Sequence, residues 1–512
     1  MHNMNKDKFI KDFISFFGVV ELYLLCFAFY FSYGCMDHAE HLHASMLIWQ
    51  GKVPYLDFFE HHNPLLWYIL SPIVGLSYPS PNILYISRLI SALAYFGIFG
   101  VLYKIFHRFM GGSFQTVFLG VLIYFTLPES YFLLYELHPD SFMLLSYFIG
   151  LYYFFLHLED LKPLHLNISF IFFTISFLFL QKILITLFYT GICIAYLTYK
   201  KQLSLKSVIK ASLLPLFIII LFISYLYHHN ILSIYLKFNY ELNFYMQLFM
   251  GKAKYLNNFV FTTYLPLIAL FTLKYFLKEN NRYKNILIFI VVAECISKYL
   301  TGAPYVQYFI FTNIISVIIV AYYIINNINH KYTKIFLYTI FGVGIFFFIK
   351  KPFNIKYPKY IETNQYIYQT ITKDDYLISS VNYLNIYAKD TSYYWFGGGN
   401  IAPIAYYLYQ YKDPFLINND IISYQPKIIF NNLYVNQLLI NNIENNTSLK
   451  DFTQNLKNIY HKMPIKHEDE ISFIKRWSRA DFSVYNEDLL KLNYTIHETL
   501  PLLIRKDIAN TK

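Results

Sequence analysis

The sequence predicts an all-α polytopic membrane domain of about 11–13 hydrophobic helices, followed by a small α/β extracytoplasmic domain. Of the 512 residues, 56% are hydrophobic and 14% are charged, whereas soluble domains are about one quarter charged. Apolar runs of roughly 20 residues, the length that a helix needs to cross a bilayer, recur as far as residue 350. Beyond about Pro352, short alternating runs such as DDYLISSV and PKIIFNN replace them and are typical of strands.

Each predicted span is placed on one apolar run. The spans cover about 14–34, 83–106, 114–128, 141–158, 166–180, 182–199, 208–227, 258–276, 285–300, 305–327 and 333–350. The first run is too long for the core of a signal peptide, and no small-x-small cleavage site follows it, so we expect an uncleaved span. A shorter apolar piece, 64–78, is flanked by Pro64, Pro79 and Pro81. It is expected to lie in the interface, re-enter, or cross obliquely.

The positive-inside rule orients these spans. Lys6, Lys8 and Lys11 precede the first span and place the N-terminus in the cytoplasm. The predicted inner loops carry the cations Lys104, Arg108, Lys162, Lys200, Lys201, Lys206, Lys278, Arg282, Lys284, Lys331 and Lys334. The predicted outer loops carry the acids Asp37, Glu40, Asp57, Glu60, Glu136 and Asp140. The net charge of +11 is therefore assigned to cytoplasmic loops and not to a nucleic-acid surface. The alternation requires that 64–78 does not fully cross.

The chain divides into two predicted domains. Residues 1–350 form the membrane domain, whose first outer loop covers about 35–63, and residues 351–512 form a soluble domain on the outer side. A turn is expected at FGGGN, Phe396 to Asn400. The four cysteines lie within or beside apolar runs and the tail has none, so no disulfide framework is indicated.

The first outer loop is dense in polar groups. Between Asp37 and His62 it holds two Asp, two Glu and five His, and charged groups at a membrane surface are costly to desolvate, which indicates function. Asp37 stands where the first span leaves the membrane and suits a general base acting on a hydroxyl. Asp is also a good N-cap, and Glu40 follows three residues later, so Asp37 can equally cap the next helix.

A second cluster is Glu60, His61 and His62. A Glu with neighbouring His can bind a divalent cation, although adjacent residues seldom both ligate with good geometry. The alternative is a set of interfacial side chains with solvated heads.

Three further clusters fall at predicted outer ends of spans. YELHPD ends at Asp140, which is either a functional carboxylate or an N-cap. Gln181-Lys182 puts a lone cation in an outer hairpin, where a phosphate can pair with it or where it merely snorkels. APYVQYF covers 303–309. Because all five clusters share one side of the predicted topology, one outward-facing site assembled from several loops is the economical interpretation.

These motifs resemble a known family. An Asp followed by a His-rich helix and the segment V-P-Y-x-D-F-F-E-H-H-x-P-L-x-W-Y resemble the GT-C superfamily of membrane glycosyltransferases. More narrowly, they resemble the branch of protein O-mannosyltransferases and lipid A aminoarabinose transferases. The resemblance extends through P-D, the Q-K hairpin and P-Y-x-Q-Y, and it covers roughly residues 30–310. The tail is similar only in being an outward soluble domain.

The resemblance implies a polyprenyl-phosphate-linked sugar as donor and a lipid, glycan or protein as acceptor. It implies that Asp37 is the catalytic base, that Glu60 is an acidic residue able to bind a divalent metal, and that Asp140 is a supporting carboxylate. It implies that Lys182 approaches the donor phosphate. The family's Arg two residues before Asp140 is His138 here, so the phosphate-binding role of that Arg does not carry over. The family's Lys after the first-loop Glu is His61 here, so either a metal ion or a protonated His can supply the positive charge at that position.

The remaining expected site residues surround these groups. His61 and His62 are candidates for donor phosphate binding. Candidates for substrate binding are Glu40, His138, Gln181, Tyr305, Gln307 and Tyr308. We expect an inverting displacement on the outer face of a bacterial inner membrane, with the outer loop of about 228–257 closing over the substrates.

Three rival functions stay open at this point. A flippase or transporter of a lipid-linked sugar predicts charged residues near the middle of spans. Such residues are few here, and Arg88, Glu294 and Lys298 are examples. A membrane sensor or scaffold leaves the dense first loop unexplained. A glycan polymerase or ligase shares the outward site but needs no Asp in the first loop. The sequence does not identify the sugar, the acceptor or the metal.

Overall fold

The structure is a computed structural model, and it describes part of the chain. The described residues are 2–31, 36–127, 130–244, 266, 268–278, 281–301, 306–350, 365–378, 386–394, 401, 405, 408–412, 423–430, 494–496 and 502–509. The predicted turn at FGGGN, the first part of the predicted span 258–276 and the last part of the predicted closing loop lie outside these residues.

The chain forms two compact units. Unit 1 comprises Met1–Tyr33, Ser87–Tyr225 and Lys252–Ile355, and unit 2 comprises Gly34–Ile86, Leu226–Gly251 and Lys356–Lys512. The first outer loop thus clusters with the tail. The predicted domain boundary near residue 350 stays a prediction.

Unit 1 is built from helices. They are α1 (His2–Phe31), α4 (Ile83–Met110), α5 (Phe114–Phe125), α6 (Ser130–Tyr135), α7 (Pro139–Asp160), α8 (Pro163–Phe179), α9 (Leu184–Tyr199), α10 (Leu205–His228), α12 (Arg282–Thr301), α13 (Ile310–Asn327) and α14 (Lys331–Lys350). The first turn of α4 and the last of α10 belong to unit 2. Short 3₁₀ turns, Gln181–Ile183 and Val306–Phe309, precede α9 and α13.

Unit 2 combines helices with a small sheet. Its helices are α2 (Met36–Trp49), α3 (Leu65–Leu76), α11 (Leu232–Leu236) and α15 (Lys506–Ala509), and a π-helical turn, Lys237–Leu242, follows α11. The strands are β1 (Leu377–Ile378), β2 (Ile428–Phe430), β3 (Tyr494–Ile496) and β4 (Leu502–Arg505). Their order in the sheet is β1-β2-β4-β3.

The register of this sheet is defined by its pairs. β1 runs parallel to β2, with Leu377 opposite Ile428, whereas β4 is antiparallel to both β2 and β3. The two runs that the sequence predicts as strands, DDYLISSV and PKIIFNN, contain β1 and β2. Because most of 351–512 lies outside the described residues, a complete α/β domain there stays a prediction.

The multi-pass membrane character of the chain is confirmed. Among the described residues, six helices are long and apolar enough to cross a membrane. They are Asp7–Phe29, Ile83–Met110, Pro139–Asp160, Gln181–Tyr199, Leu205–His228 and Gln307–Asn327. Three shorter apolar helices accompany them: Leu65–Leu76, Phe114–Phe125 and Pro163–Phe179. The larger predicted count of about 11–13 hydrophobic helices stays a prediction.

The burial of these helices distinguishes a core from a periphery. In α13, 78% of the most apolar window is buried, against 6% in α10. On α10, large apolar side chains such as Leu213, Phe217 and Ile220 are half exposed. A helix that is apolar all round yet unburied by protein needs a lipid neighbour. The periphery of unit 1 is therefore suited to a bilayer.

Close helix contacts in unit 1 occur where glycine removes a side chain. A Cβ on Gly150 of α7 would lie 2.6 Å from the ring of Phe173 on α8. A Cβ on Gly120 of α5 would lie 3.1 Å from the Cα of Ile318 on α13. Small residues at crossings let apolar helices approach closely without the hydrophobic effect, which acts little between helices in lipid.

The ends of α7 carry different partners. At its C-terminal end, Arg108 donates to Glu159 at 2.8 Å, and Arg282 donates to the carbonyl of Leu158 at 2.5 Å. Two predicted inner-loop cations therefore share one end of α7. Asp140 lies at the other end, about 30 Å away along the helix. Which end faces the cytoplasm stays a prediction.

The short apolar helix α3 belongs to unit 2. At 12 residues it is about 18 Å long, which is less than the roughly 30 Å of a hydrocarbon core. It packs beside α2, and a Cβ on Gly75 would lie 2.2 Å from the ring of Trp49. The length of α3 agrees with the expectation that 64–78 does not cross as a regular span.

Candidate functional site

Helix α2 carries the first group of polar side chains in unit 2. It begins at Met36, so the backbone of Asp37 lies in its first turn. The side chain of Asp37 lies outside the described part of the chain, and both interpretations of it, base and cap, stay predictions. One turn later, Glu40, His41 and His43 are all buried. Buried acids and imidazoles need partners, and these come from the segment 51–63, from α3 and from the tail.

The segment 51–63 folds back by tight turns. Gly51 has a φ of 85° and Tyr55 a φ of 65°, both in the left-handed region. The Asp57 carboxylate accepts from the backbone N–H of Val53 at 2.7 Å, and the N–H of Tyr55 donates to the carbonyl of Phe58 at 3.0 Å. These bonds form a compact loop that leads the chain back toward α2.

Side chains from elsewhere in unit 2 hold the backbone of this loop. The Tyr55 hydroxyl donates to the carbonyl of His62. The Asn243 amide donates to the carbonyl of His61 at 3.1 Å, and the Tyr235 hydroxyl donates to the Asn63 side chain at 2.7 Å. Because the loop lacks regular secondary structure, such bonds replace those of a helix or sheet. They fix the positions of Glu60, His61 and His62.

The loop and α2 together form a cluster of four ligating side chains. One ligand atom from each of Glu40, Glu60, His61 and His62 lies within 4.8 Å of all the others. The Nδ1 atom of His62 is 3.6 Å from a Glu40 oxygen and 3.7 Å from a Glu60 oxygen. Around a tetrahedral ion with ligands at roughly 2.1 Å, neighbouring ligand atoms are about 3.4 Å apart. The spacing therefore fits a divalent cation after small shifts.

Electrostatics favours a cation at this cluster. Burial raises the pKa of Glu60 well above its usual value, and the nearby Glu40 carboxylate raises it further. Burial also lowers the pKa of His61, which favours the neutral imidazole that binds metals. Oε1 of Glu60 is buried, and among the described residues it has no hydrogen-bond partner. A mixed set of carboxylates and imidazoles suits Zn²⁺ and other first-row divalent ions.

The neighbouring histidines of α2 have other partners. The indole N–H of Trp67 on α3 donates to Nδ1 of His41 at 3.0 Å. His43 is fully buried, with Nδ1 at 3.0 Å from the carbonyl of Ile386 and Nε2 at 2.7 Å from the Asp390 carboxylate. These contacts fix α2 on both sides and so support Glu40. No local pattern pointed to Asp390, because it lies 347 residues from its partner.

Unit 1 contains a second group of predicted site residues. Lys182, in the 3₁₀ turn before α9, forms an ion pair with Asp140 in the first turn of α7. Its ammonium group lies 4.6 Å from the ring centroid of Tyr308. The Lys182 side chain is 21% exposed and the Asp140 side chain 6%. The structure thus brings together an acid, a cation and an aromatic ring that the sequence placed in three separate motifs.

The other candidates from these motifs have definite places. His138 contacts the Glu136 carboxylate at 2.9 Å, Gln181 is buried and Gln307 is half-buried. Tyr305 lies outside the described residues. In unit 2, Glu40 joins the ligating cluster. The roles assigned to all these side chains stay predictions.

One pair of unit 1 was not recognised from the sequence as part of a site. Glu294 and Lys298 on α12 form an ion pair, and the Thr186 hydroxyl on α9 donates to Glu294 at 2.7 Å. Both charged side chains are at least nine-tenths buried. Their spacing of four residues on one helix face was a usable signal. By hydropathy alone they are two of the few charged groups within the predicted spans.

A comparison with known proteins found no protein-family model, curated protein or solved structure that matches the chain.

Proposed function

We propose that this chain is a membrane glycosyltransferase that moves a sugar from a polyprenyl-phosphate donor to a lipid, glycan or protein acceptor. The observation that carries the proposal is the buried cluster of Glu40, Glu60, His61 and His62 in unit 2. The helix that supplies Glu40 begins at Met36, so Asp37, the proposed base, lies in its first turn. A ligating cluster in a loop that directly follows a membrane span suits chemistry on a lipid-linked substrate.

The proposed reaction is a single displacement at the anomeric carbon. Asp37 accepts the proton of the acceptor hydroxyl as that oxygen attacks, and the bond between the anomeric carbon and the phosphate oxygen breaks. Attack from the face opposite the leaving group inverts the anomeric centre. General-base assistance of this kind typically contributes about 10²–10⁴ in rate.

The leaving phosphate needs positive charge. In the proposal this charge comes from Lys182, which pairs with Asp140 beside the ring of Tyr308, or from a first-loop His or a bound cation. A divalent cation held by Glu40, Glu60 and His62 would supply Lewis-acid stabilisation of developing negative charge. His62, whose side chain is 23% exposed, is the most accessible of these ligands. The proposal includes an extracytoplasmic tail and a bacterial inner-membrane location.

The test combines genetics with glycan analysis. The gene is deleted in its host, and surface glycolipids and glycoproteins are profiled by mass spectrometry after complementation with wild type, Asp37→Asn or Asp57→Asn. Asp57 is the matched control, because it is an exposed acid of the same loop whose hydrogen bond to Val53 an Asn oxygen can still accept. We expect one missing sugar, restored by wild type and by Asp57→Asn but not by Asp37→Asn.

Two other results would contradict the proposal. An active Asp37→Asn protein, present in the membrane at wild-type level, would remove Asp37 as the base. A complete set of glycans with a polyprenyl-phosphate sugar accumulating on the inner face would instead indicate a flippase.

A further inference from the structure

Two lysines of unit 1 approach each other at one end of its helices. Lys182 precedes α9 and pairs with Asp140, and Lys298 lies in the last turn of α12 and pairs with Glu294. Thr186, four residues after Lys182, donates a hydrogen bond to Glu294, the partner of Lys298, so the two ion pairs lie beside one hydroxyl group. Like charges in a low-dielectric setting repel strongly, so this proximity is costly unless anions lie between or beside them.

Consecutive aromatic rings lie against the two cations. Lys182 is 4.6 Å from the ring centroid of Tyr308, and Lys298 is 6.0 Å from that of Phe309. Both rings belong to the 3₁₀ turn before α13. The start of α7, the start of α9, the end of α12 and the start of α13 therefore contribute to one charged group of side chains.

A row of hydroxyl groups continues from these charges into the helices. On α9, Thr186 and Thr190 follow Lys182 at intervals of four, which places all three on one face. Thr186 donates to Glu294 at 2.7 Å, and Thr190 contacts the Tyr147 hydroxyl at 2.9 Å. Buried hydroxyls that are fully hydrogen-bonded fix the carboxylate of Glu294 in place.

Stability alone is a weak reason for such a group. Replacing a buried ion pair by apolar residues of similar volume is often neutral or stabilising. Here two ion pairs, with a net charge of zero, occupy a region where burial of each charge is costly. A ligand with two negative charges gives both lysines a function, because it can replace the two carboxylates as their counterion.

We propose that Lys182 and Lys298 together bind one phosphate group, and that Asp140 and Glu294 are the counterions that hold the lysines when the phosphate is absent. A phosphate monoester carries up to about two negative charges at neutral pH, which matches two ammonium groups. The Lys182 side chain is 21% exposed and that of Lys298 10%. Lys182 is thus the outer contact and Lys298 the inner one. The inference rests on the proposed function only for the lipid that carries the phosphate.

The test measures binding rather than turnover. Full-length protein in lipid nanodiscs is titrated with polyprenyl phosphate, with the corresponding polyprenol and with inorganic phosphate as a competitor. The variants are Lys298→Gln, Lys298→Arg and Glu294→Gln. Lys284→Gln is the matched control, because Lys284 is a buried lysine of the same helix that also lies over aromatic rings, about 21 Å away along α12.

The two members of the Glu294–Lys298 pair give opposite results if the proposal is correct. Lys298→Gln should weaken polyprenyl phosphate binding about tenfold, because one charge-assisted contact is lost. Lys298→Arg should retain most of the affinity, and Lys284→Gln should leave it unchanged. Glu294→Gln should tighten binding roughly threefold, because it removes the anion that competes with the phosphate. Thermal unfolding without ligand identifies any variant that fails to fold.

Several results would overturn the proposal. Equal losses in Lys298→Gln and Glu294→Gln would show that the pair only fastens the helices. Equal losses in Lys298→Gln and Lys284→Gln would have the same meaning, as would a wild-type protein that binds polyprenol as tightly as polyprenyl phosphate. Competition by inorganic phosphate supports recognition of the phosphate itself, whereas lipid binding without such competition supports a lipid-borne phosphate.

The outcome is separable from that of the proposed function. If Lys298→Gln loses binding of polyprenyl phosphate but deletion of the gene leaves the glycans of the host unchanged, the phosphate site is supported and the transferase activity is contradicted. If transfer requires Asp37 but Lys298→Gln binds polyprenyl phosphate as tightly as wild type, the transferase activity is supported and the phosphate site is contradicted.

Discussion

The two compact units stabilise their buried polar groups in different ways. In unit 1 most of the backbone is satisfied within helices, and two of its buried acids, Asp140 and Glu294, each have a lysine beside them. In unit 2 an irregular loop depends on side chains that bond its carbonyls. Its cluster of Glu40, Glu60, His61 and His62 brings two carboxylates together with two imidazoles.

This difference indicates what each region can bind. A group whose charges already balance can exchange an internal anion for an external one, which suits a phosphate. A group with an excess of carboxylates is stabilised by an added cation, because the cation removes the repulsion between the acids. The two clusters therefore call for ligands of opposite sign, and variants can test each side of the comparison.

The largest expected effect concerns an acid–imidazole pair of unit 2, His43 with Asp390. His43→Ala should lower the free energy of unfolding by about 3 kcal/mol, because it removes the buried ring that contacts the Asp390 carboxylate and the Ile386 carbonyl. Asp390→Asn should cost less, since an amide oxygen can still accept. Denaturant titration in detergent measures both, and the double variant gives the coupling between them.

The matched control is His165→Ala. His165 lies 3.1 Å from Asp160 at the surface of unit 1, and a solvated pair of this kind contributes little. Effects of His43→Ala and Asp390→Asn that simply add would contradict the direct pair. A loss in His165→Ala as large as in His43→Ala would show that burial is not the cause.

The next effect concerns the excess of acid in unit 2. Glu60→Gln should weaken binding of Zn²⁺ by at least about tenfold, because the buried carboxylate is the ligand with the strongest charge. Isothermal titration of metal-free protein with Zn²⁺ and with Mn²⁺ measures this directly. Asp57→Asn should bind as wild type does. A wild-type protein that binds neither ion would contradict the claim that the cluster of unit 2 binds a cation, and the proximity of its acids would then need another explanation.

The sequence predicted the helices of unit 1 better than it predicted either cluster. Spans follow from the length of apolar runs, since a helix in lipid must satisfy its own backbone. Glu60 and His62 were recognised from local density, and their proximity to Glu40 follows from turns at Gly51 and Tyr55 that hydropathy does not report. The burial of α2 also could not be predicted, because two of its partners, Ile386 and Asp390, lie in the tail.

Long-range pairs explain most of what was missed. Asp390 carries no motif, and only the folded chain brings it to His43. Glu294 and Lys298 did carry a signal, the spacing of four residues, but a span interior containing two charges also fits a transporter. The contact of Glu294 with Thr186 and the place of Lys298 beside Phe309 assign the pair to one end of the helices.

The smallest expected effect tests how unit 1 is packed. Gly150→Ala should lower the free energy of unfolding by about 1–2 kcal/mol, because the new methyl would meet the ring of Phe173 at 2.6 Å and the carbonyl of Ser169 at 3.0 Å. Gly191→Ala on α9 is the matched control, since no atom lies within 4 Å of its Cβ. There the change should be neutral or stabilising by up to about 1 kcal/mol, the difference in helix propensity. Denaturant titration of both variants decides, and a Gly150→Ala protein as stable as Gly191→Ala would show that close approach of α7 and α8 is not what holds unit 1 together.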